Sequence, residues 1–116
     1  MTHEEKKLGK IVEELTMFFF AVGADKIHSG IEKKEKHVVI DFEANYNPAY
    51  SENLERLDHY LNGEKTEGME DIYWELAGSG DPGETSQLLL VGMMVDKAEV
   101  TVGENDVKLR LYKELL

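Results

Sequence analysis

At 116 residues the chain is one domain by size, 1–116, with room for a single core. Thirteen Lys and Arg stand against 24 Asp and Glu, a formal net charge of -11, so phosphate backbones and anionic lipid headgroups are repelled. This argues against nucleic acid or a membrane surface as main partner. The absence of cysteine excludes disulfides, thiol nucleophiles and thiolate metal sites.

Such an acidic surface suits plain solvation and also suits a basic protein partner. Met17 to Val22, the longest apolar run near the N-terminus, is too short to cross a bilayer. It also lies too deep, behind the charged "HEEKK", to be a secretory apolar region, so the expected setting is cytoplasmic.

The first predicted element is a helix over 3–22. Leu8, Ile11, Val12, Leu15, Phe18, Phe19 and Val22 share one face at three-and-four spacing, with Glu and Lys opposite. Thr2 and Glu5 have capping-box spacing, and Gly23 is a natural stop. A hairpin follows. With Lys34 and Glu35 as its tip, Ile31 faces Val38, Ser29 faces Ile40 and Ile27 faces Phe42. That register puts every large apolar residue except Val39 on one side, the condition for a half-buried pair.

"NYNPAY" reads as a turn, and Ser51 as the cap of a helix carrying Leu54, Leu57, Tyr60 and Leu61 that ends near Asn62-Gly63. After the polar linker "GEKTEG", Met69, Ile72, Tyr73 and Leu76 mark a short helix ending at Ala77-Gly78. A further helix, apolar nearly all round, spans about Pro82 to Val95. In the last hairpin Val100 and Val102 oppose Leu109 and Val107 across "GEND", while Lys108, Arg110 and Tyr112 point the other way. The order α-β-β-α-α-α-β-β, with helices and hairpins segregated, predicts an α+β two-layer sandwich of helices on a mixed, mostly antiparallel sheet. Either hairpin edge is open to a second copy, so a homodimer is compatible with the pattern.

This order of elements resembles the histidine-kinase-like ATPase domain, especially its small anti-sigma-factor branch. "LLLVGMMVDKAEV" followed by "VKLRLYKEL" is similar to that family's final helix, its exit into a strand and the closing strand. "VIDFEANYNP" is similar to its strand-ending "VxDxGxGFxP", and "EELTMFFFAVG" to its first-helix pattern. The resemblance implies a nucleotide-binding scaffold for ATP and Mg²⁺. By that alignment Glu14 matches the catalytic-type Glu and Asp41 the Asp that reads the adenine amino group. The magnesium-holding Asn falls at Phe18, and a phenyl ring offers no oxygen to a hard cation. The glycines after the Asp fall on Glu43 and Asn45, and those of the phosphate loop's "GLGL" on Thr85 to Leu88, "TSQL". The implied site is therefore degraded.

The glycine-rich "GSGDPGE" before the last helix is the other candidate for a phosphate seat, with Gly78, Gly80 and Gly83 as backbone contacts. Against it, Asp81 can cap, Pro82 suits the first helical position, and Glu84 completes a capping box. Two carboxylates then occupy the positive end of the dipole, and neither Lys nor Arg occurs between Lys65 and Lys97. The self-capped loop is the preferred reading.

His3, His28, His37 and His59 have no metal-ligand spacing. In the register above His28 sits opposite Asp41, a pair that could act as an acid–base couple but is more simply a cross-strand polar contact. Tyr73 and Trp74, an aromatic pair beside loops, are the candidate partner contact, with packing over the sheet an equal alternative. The expectation is thus a regulatory, protein-binding domain rather than an enzyme. An ATP-binding serine kinase of the anti-sigma type, with Glu14 as base and with Asp41, Asn45, Gly78, Gly80 and Gly83 on the nucleotide, is the first alternative. An unrelated oligomeric α+β domain is the second.

Overall fold

Thr2 starts the first helix in the computed structural model, which describes residues 1–62 and 84–115. α1 (His3–Ala21) opens on the expected capping box: the Thr2 hydroxyl accepts from Glu5 N–H at 3.1 Å, and Thr2 N–H donates to Glu5 Oε1 at 2.9 Å. It closes in a Schellman motif, Gly23 N–H donating to Phe20 O and Ala24 N–H to Phe19 O. Gly23 sits at φ 87°, and a Cβ there would come within 2.7 Å of Asn47 Cβ, so this stop admits only glycine. Leu8, Ile11, Leu15, Phe18, Phe19 and Val22 form the buried stripe that the spacing predicts.

β1 (Ile27–Lys33), β2 (His37–Asn45), β3 (Lys97–Val102) and β4 (Asp106–Glu114) form one sheet in the order β1-β2-β4-β3. Every neighbouring pair is antiparallel, so among the described residues the sheet is not mixed as expected. The β3–β4 register is the expected one, Val100 facing Leu109 and Val102 facing Val107. The β1–β2 register is shifted by two residues: Ile31 faces Ile40, Ser29 faces Phe42 and Ile27 faces Ala44. Lys34 N–H donates to His37 O, which moves the tip to Glu35-Lys36. Asn45 holds the other end, its Oδ1 accepting from Asp25 and Lys26 N–H at 3.0 and 3.1 Å. A two-residue shift leaves each side chain on its face but changes its partner. His28 therefore faces Glu43, not Asp41.

The helix-facing side of β2 and β4 is the core floor: Val38, Ile40, Phe42, Ala44, Val107, Leu109 and Leu111 are all buried. Each such Leu, Ile or Phe contributes about 1.5–3 kcal/mol through burial. β1 departs from the half-buried expectation. As the edge strand it is exposed from His28 to Lys33, and Ile31 on its helix-facing side remains 49% exposed.

The expected helix from Ser51 to Asn62 is two pieces, α2 (Ser51–Glu55) and α3 (Leu57–Asn62), broken at Arg56. The cap is not Ser51, which already lies inside the helical turn. Asn47 caps the preceding 3₁₀ turn at Pro48–Tyr50, its Oδ1 accepting from Ala49 N–H at 3.0 Å. The break lets Leu54, Leu57 and Leu61 all reach the core. The helix predicted over 69–76 lies outside the described residues.

α4 (Glu84–Met94) buries Leu88, Leu90, Val91 and Met94, as an all-round apolar helix should. It crosses α3 closely at Gly92, where a Cβ would come within 2.5 Å of Tyr60 O. Its C-terminal carbonyl at Met94 accepts from Lys113 Nζ at 2.8 Å, a buried cation at the negative end of the dipole. The described helices cover one face of the sheet, so the described residues have the expected α+β composition and are compatible with a two-layer sandwich. No described helix is long and apolar enough to cross a membrane.

Candidate functional site

Strand alternation sends one set of side chains to the face that no described helix covers. Across the two central strands these include Asp41 and Glu43 from β2, opposite Arg110 and Lys108 from β4. At mid-sheet β2 thus supplies a two-residue acidic column and β4 a two-residue basic one, flanked by Val39 and Asn45 on β2 and by Asp106, Tyr112 and Glu114 on β4. Arg110 Nε donates to Asp41 Oδ1 at 2.7 Å, and Lys108 Nζ lies 3.9 Å from Glu43 Oε1. At the β3 edge Lys97 stands 3.5 Å from Glu99 and 5.8 Å from the centre of the Tyr112 ring.

The Asp41 carboxylate, ahead of the Tyr112 hydroxyl, raises the Arg110 guanidinium above its ordinary pKa, so its charge is permanent. These pairs are solvated, and exposed ion pairs add about 0–1 kcal/mol each. Their ordered columns therefore matter more for what the face can recognise than for stability. An open depression of about 440 Å³ runs across them, lined by His28, Asp41, Glu43, Glu99, Lys108 and Arg110.

The residues singled out from the sequence fall in different places. Glu14 lies in the helix layer, 6% exposed, with Oε1 2.8 Å from Lys10 Nζ and Oε2 buried without a hydrogen-bond partner. Lys10 in turn is raised above its usual pKa, first by its hydrogen bond to Glu14. Phe18, which the resemblance sets against a magnesium-holding Asn, is a core residue packed edge-on against Phe19 at 5.6 Å. Asp41 lies on the other side of the sheet, alternating with the buried Ile40 and Phe42. Asn45 shares Asp41's side of β2 but is engaged with the backbone of Asp25 and Lys26. A small ligand on Asp41 is thus separated from Glu14 by the sheet and its core side chains. Gly78, Gly80, Gly83, Tyr73 and Trp74, together with the proposed caps Asp81 and Pro82, lie outside the described residues. Thr85 to Leu88 belong to α4. Among the described residues no three His, Asp or Glu gather closely enough to hold a metal ion.

Sequence reasoning did not single out Arg110 or Asn62. The outward direction of Arg110 was legible, but its contact with Asp41 arises from β2–β4 pairing across 69 residues, for which there is no local signal. Asn62 looked like an ordinary helix end, yet it binds the free edge of β3 through Ala98.

Comparison of the chain with protein-family models, with curated proteins and with solved structures finds no match.

Proposed function

We propose that the chain is a small regulatory module that acts by binding another protein, through the uncovered face of its sheet. In this reading the element order is what remains of a histidine-kinase-like ATPase scaffold whose nucleotide site has degraded. One observation carries it: Asp41, the residue that would read adenine, is spent on Arg110 across the sheet from Glu14. Phe18 in the core supports the same reading, since it offers a cation no ligand. The net charge of -11 steers a basic partner toward the molecule, and the acidic β2 column beside the basic β4 column sets its orientation.

A second reading, the ATP-binding serine kinase, draws on Glu14 alone, whose Oε2 is buried without a hydrogen-bond partner. Thermal melting with and without millimolar Mg-ATP separates the two. The binding module shows no shift. A site with a Kd of about 10 µM would gain about 2.7 kcal/mol at hundredfold excess, several degrees, and that result would overturn the first reading. Reversing the acidic column with Asp41→Lys and Glu43→Lys should abolish capture of any partner the wild type binds while leaving the melting temperature within a few degrees.

A further inference from the structure

The two edges of this sheet are treated differently. At the β3 edge, Asn62 occupies both outward backbone groups of Ala98: its Nδ2 donates to Ala98 O and its Oδ1 accepts from Ala98 N–H, each at 2.8 Å. The helix layer thereby blocks that edge at Ala98, leaving only the outward groups of Val100 and Val102 beyond it. At the β1 edge nothing comparable stands among the described residues. Lys34 N–H donates to His37 O and Asn45 N–H to Lys26 O, so the even-numbered residues of β1 bond to β2. Ile27, Ser29, Ile31 and Lys33 therefore direct their N–H and C=O groups outward. A seven-residue ladder half is left open, flanked by the exposed Ile31.

We infer that the occupant of this edge is a second copy of the chain, paired antiparallel β1 to β1 about a two-fold axis into a continuous eight-stranded sheet. Full overlap of Ile27–Lys33 with itself sets Gly30 opposite Gly30 and His28 opposite Glu32 of the second copy. The strand is thus self-complementary: an imidazole meets a carboxylate twice, and the axis passes through the residue without a side chain. Ile31 meets Ser29 of the second copy on the helix-facing side, which covers its exposed surface. Lys34, just beyond the strand, approaches Lys26 of the second copy, but Glu32 at 3.7 Å already neutralises it. The inference does not rest on the protein-binding reading, although His28 belongs both to this edge and to the rim of the depression on the open face.

Sedimentation of the wild-type chain at about 10–500 µM tests it first. The expected mass is twice 13.2 kDa at the upper end, and a monomer throughout would overturn the inference. The register has its own test, because the chain has no cysteine of its own. Gly30 falls in a non-hydrogen-bonded pair with a Cα separation of about 4.5 Å, inside the range a disulfide spans. A Cβ at Gly30 meets nothing within 4 Å, so a cysteine fits. Gly30→Cys should form a disulfide-linked dimer at least tenfold faster than Thr101→Cys on the opposite edge strand under the same mild oxidant. Equal rates would overturn the pairing. Ser29→Pro removes an outward N–H that the fold does not use and should give a folded monomer. A dimer persisting in that variant would count against β1 as the interface.

Discussion

Asn62 and Ala98 are joined as two strands would be, one side-chain amide matching one backbone N–H and one C=O at 2.8 Å each. Asn62 Nδ2 also donates to Asp58 Oδ1 one helical turn back, which fixes the amide in place. A single side chain thus fastens α3 to the sheet at the start of β3.

Asn62→Ala should therefore cost about 1–3 kcal/mol, since it strands a part-buried N–H and C=O. Urea denaturation would show a lower midpoint at unchanged slope. Asn62→Asp keeps the acceptor for Ala98 N–H but sets a carboxylate oxygen against Ala98 O and Asp58 Oδ1, so it should lose at least as much as Asn62→Ala.

Gly92 is a second contact on which the helix layer depends. In an exposed helix interior, alanine for glycine gains about 1 kcal/mol. Here the added methyl would meet Tyr60 O at 2.5 Å and Leu61 Cα at 3.3 Å, and backbone cannot swing aside as a side chain can. Gly92→Ala should reverse the sign and lose about 1–3 kcal/mol, read as a drop in melting temperature.

Lys10 and Glu14 should respond asymmetrically to removal. Glu14→Met takes away a buried carboxylate with one unpartnered oxygen, and Lys10 can extend to water, so stability should stay within about 1 kcal/mol of wild type or rise. Lys10→Met leaves the buried carboxylate with no partner and should cost about 1–3 kcal/mol. Chemical denaturation of both variants is the check. A larger loss in Glu14→Met than in Lys10→Met would mean that Glu14 is held by something other than Lys10.

Glu5 gives the cap of α1 a pH dependence. Its carboxyl is lowered from 4.5, first by the Thr2 backbone N–H, then by the Thr2 hydroxyl and the charge of Lys33. A folded-state value below the unfolded one means that the contribution is present above about pH 4.5 and is lost as pH falls through the lowered value. Glu5→Gln should accordingly be less stable than wild type at neutral pH and equal to it in strong acid, as followed by helical circular dichroism during melting.

Local signals carried much of this fold. The capping box, the Gly23 stop and the C-terminal hairpin were legible because each is fixed within a few residues; Gly103 N–H donates to Asp106 O, a turn that pins its register. The N-terminal hairpin was less determined, since "EKKEK" offers no Gly, Asn or Asp to mark a tip, and the clamp at Asn45 acts from the far end. The faces survived that uncertainty because a shift of two preserves them, whereas the His28–Asp41 pair did not survive it. Asn47 outcompeted Ser51 as cap because Pro48 starts the turn three residues earlier than the leucine spacing suggests. The uncovered face was visible residue by residue as outward polar positions. What joined them, β2 beside β4, depends on contacts between distant parts of the chain and leaves no periodicity behind.

That central pairing also bears on how the molecule assembles. Each hairpin can close on its own, but neither has a finished hydrophobic side until Asp41 and Arg110, 69 residues apart, are brought level. A nascent chain emerging from the ribosome must therefore wait, its apolar strands unshielded, until β4 has been synthesised. Folding should be slower than the helical content alone would suggest, and in the monomer β1, the strand with least to bury, should be the first to open under hydrogen exchange.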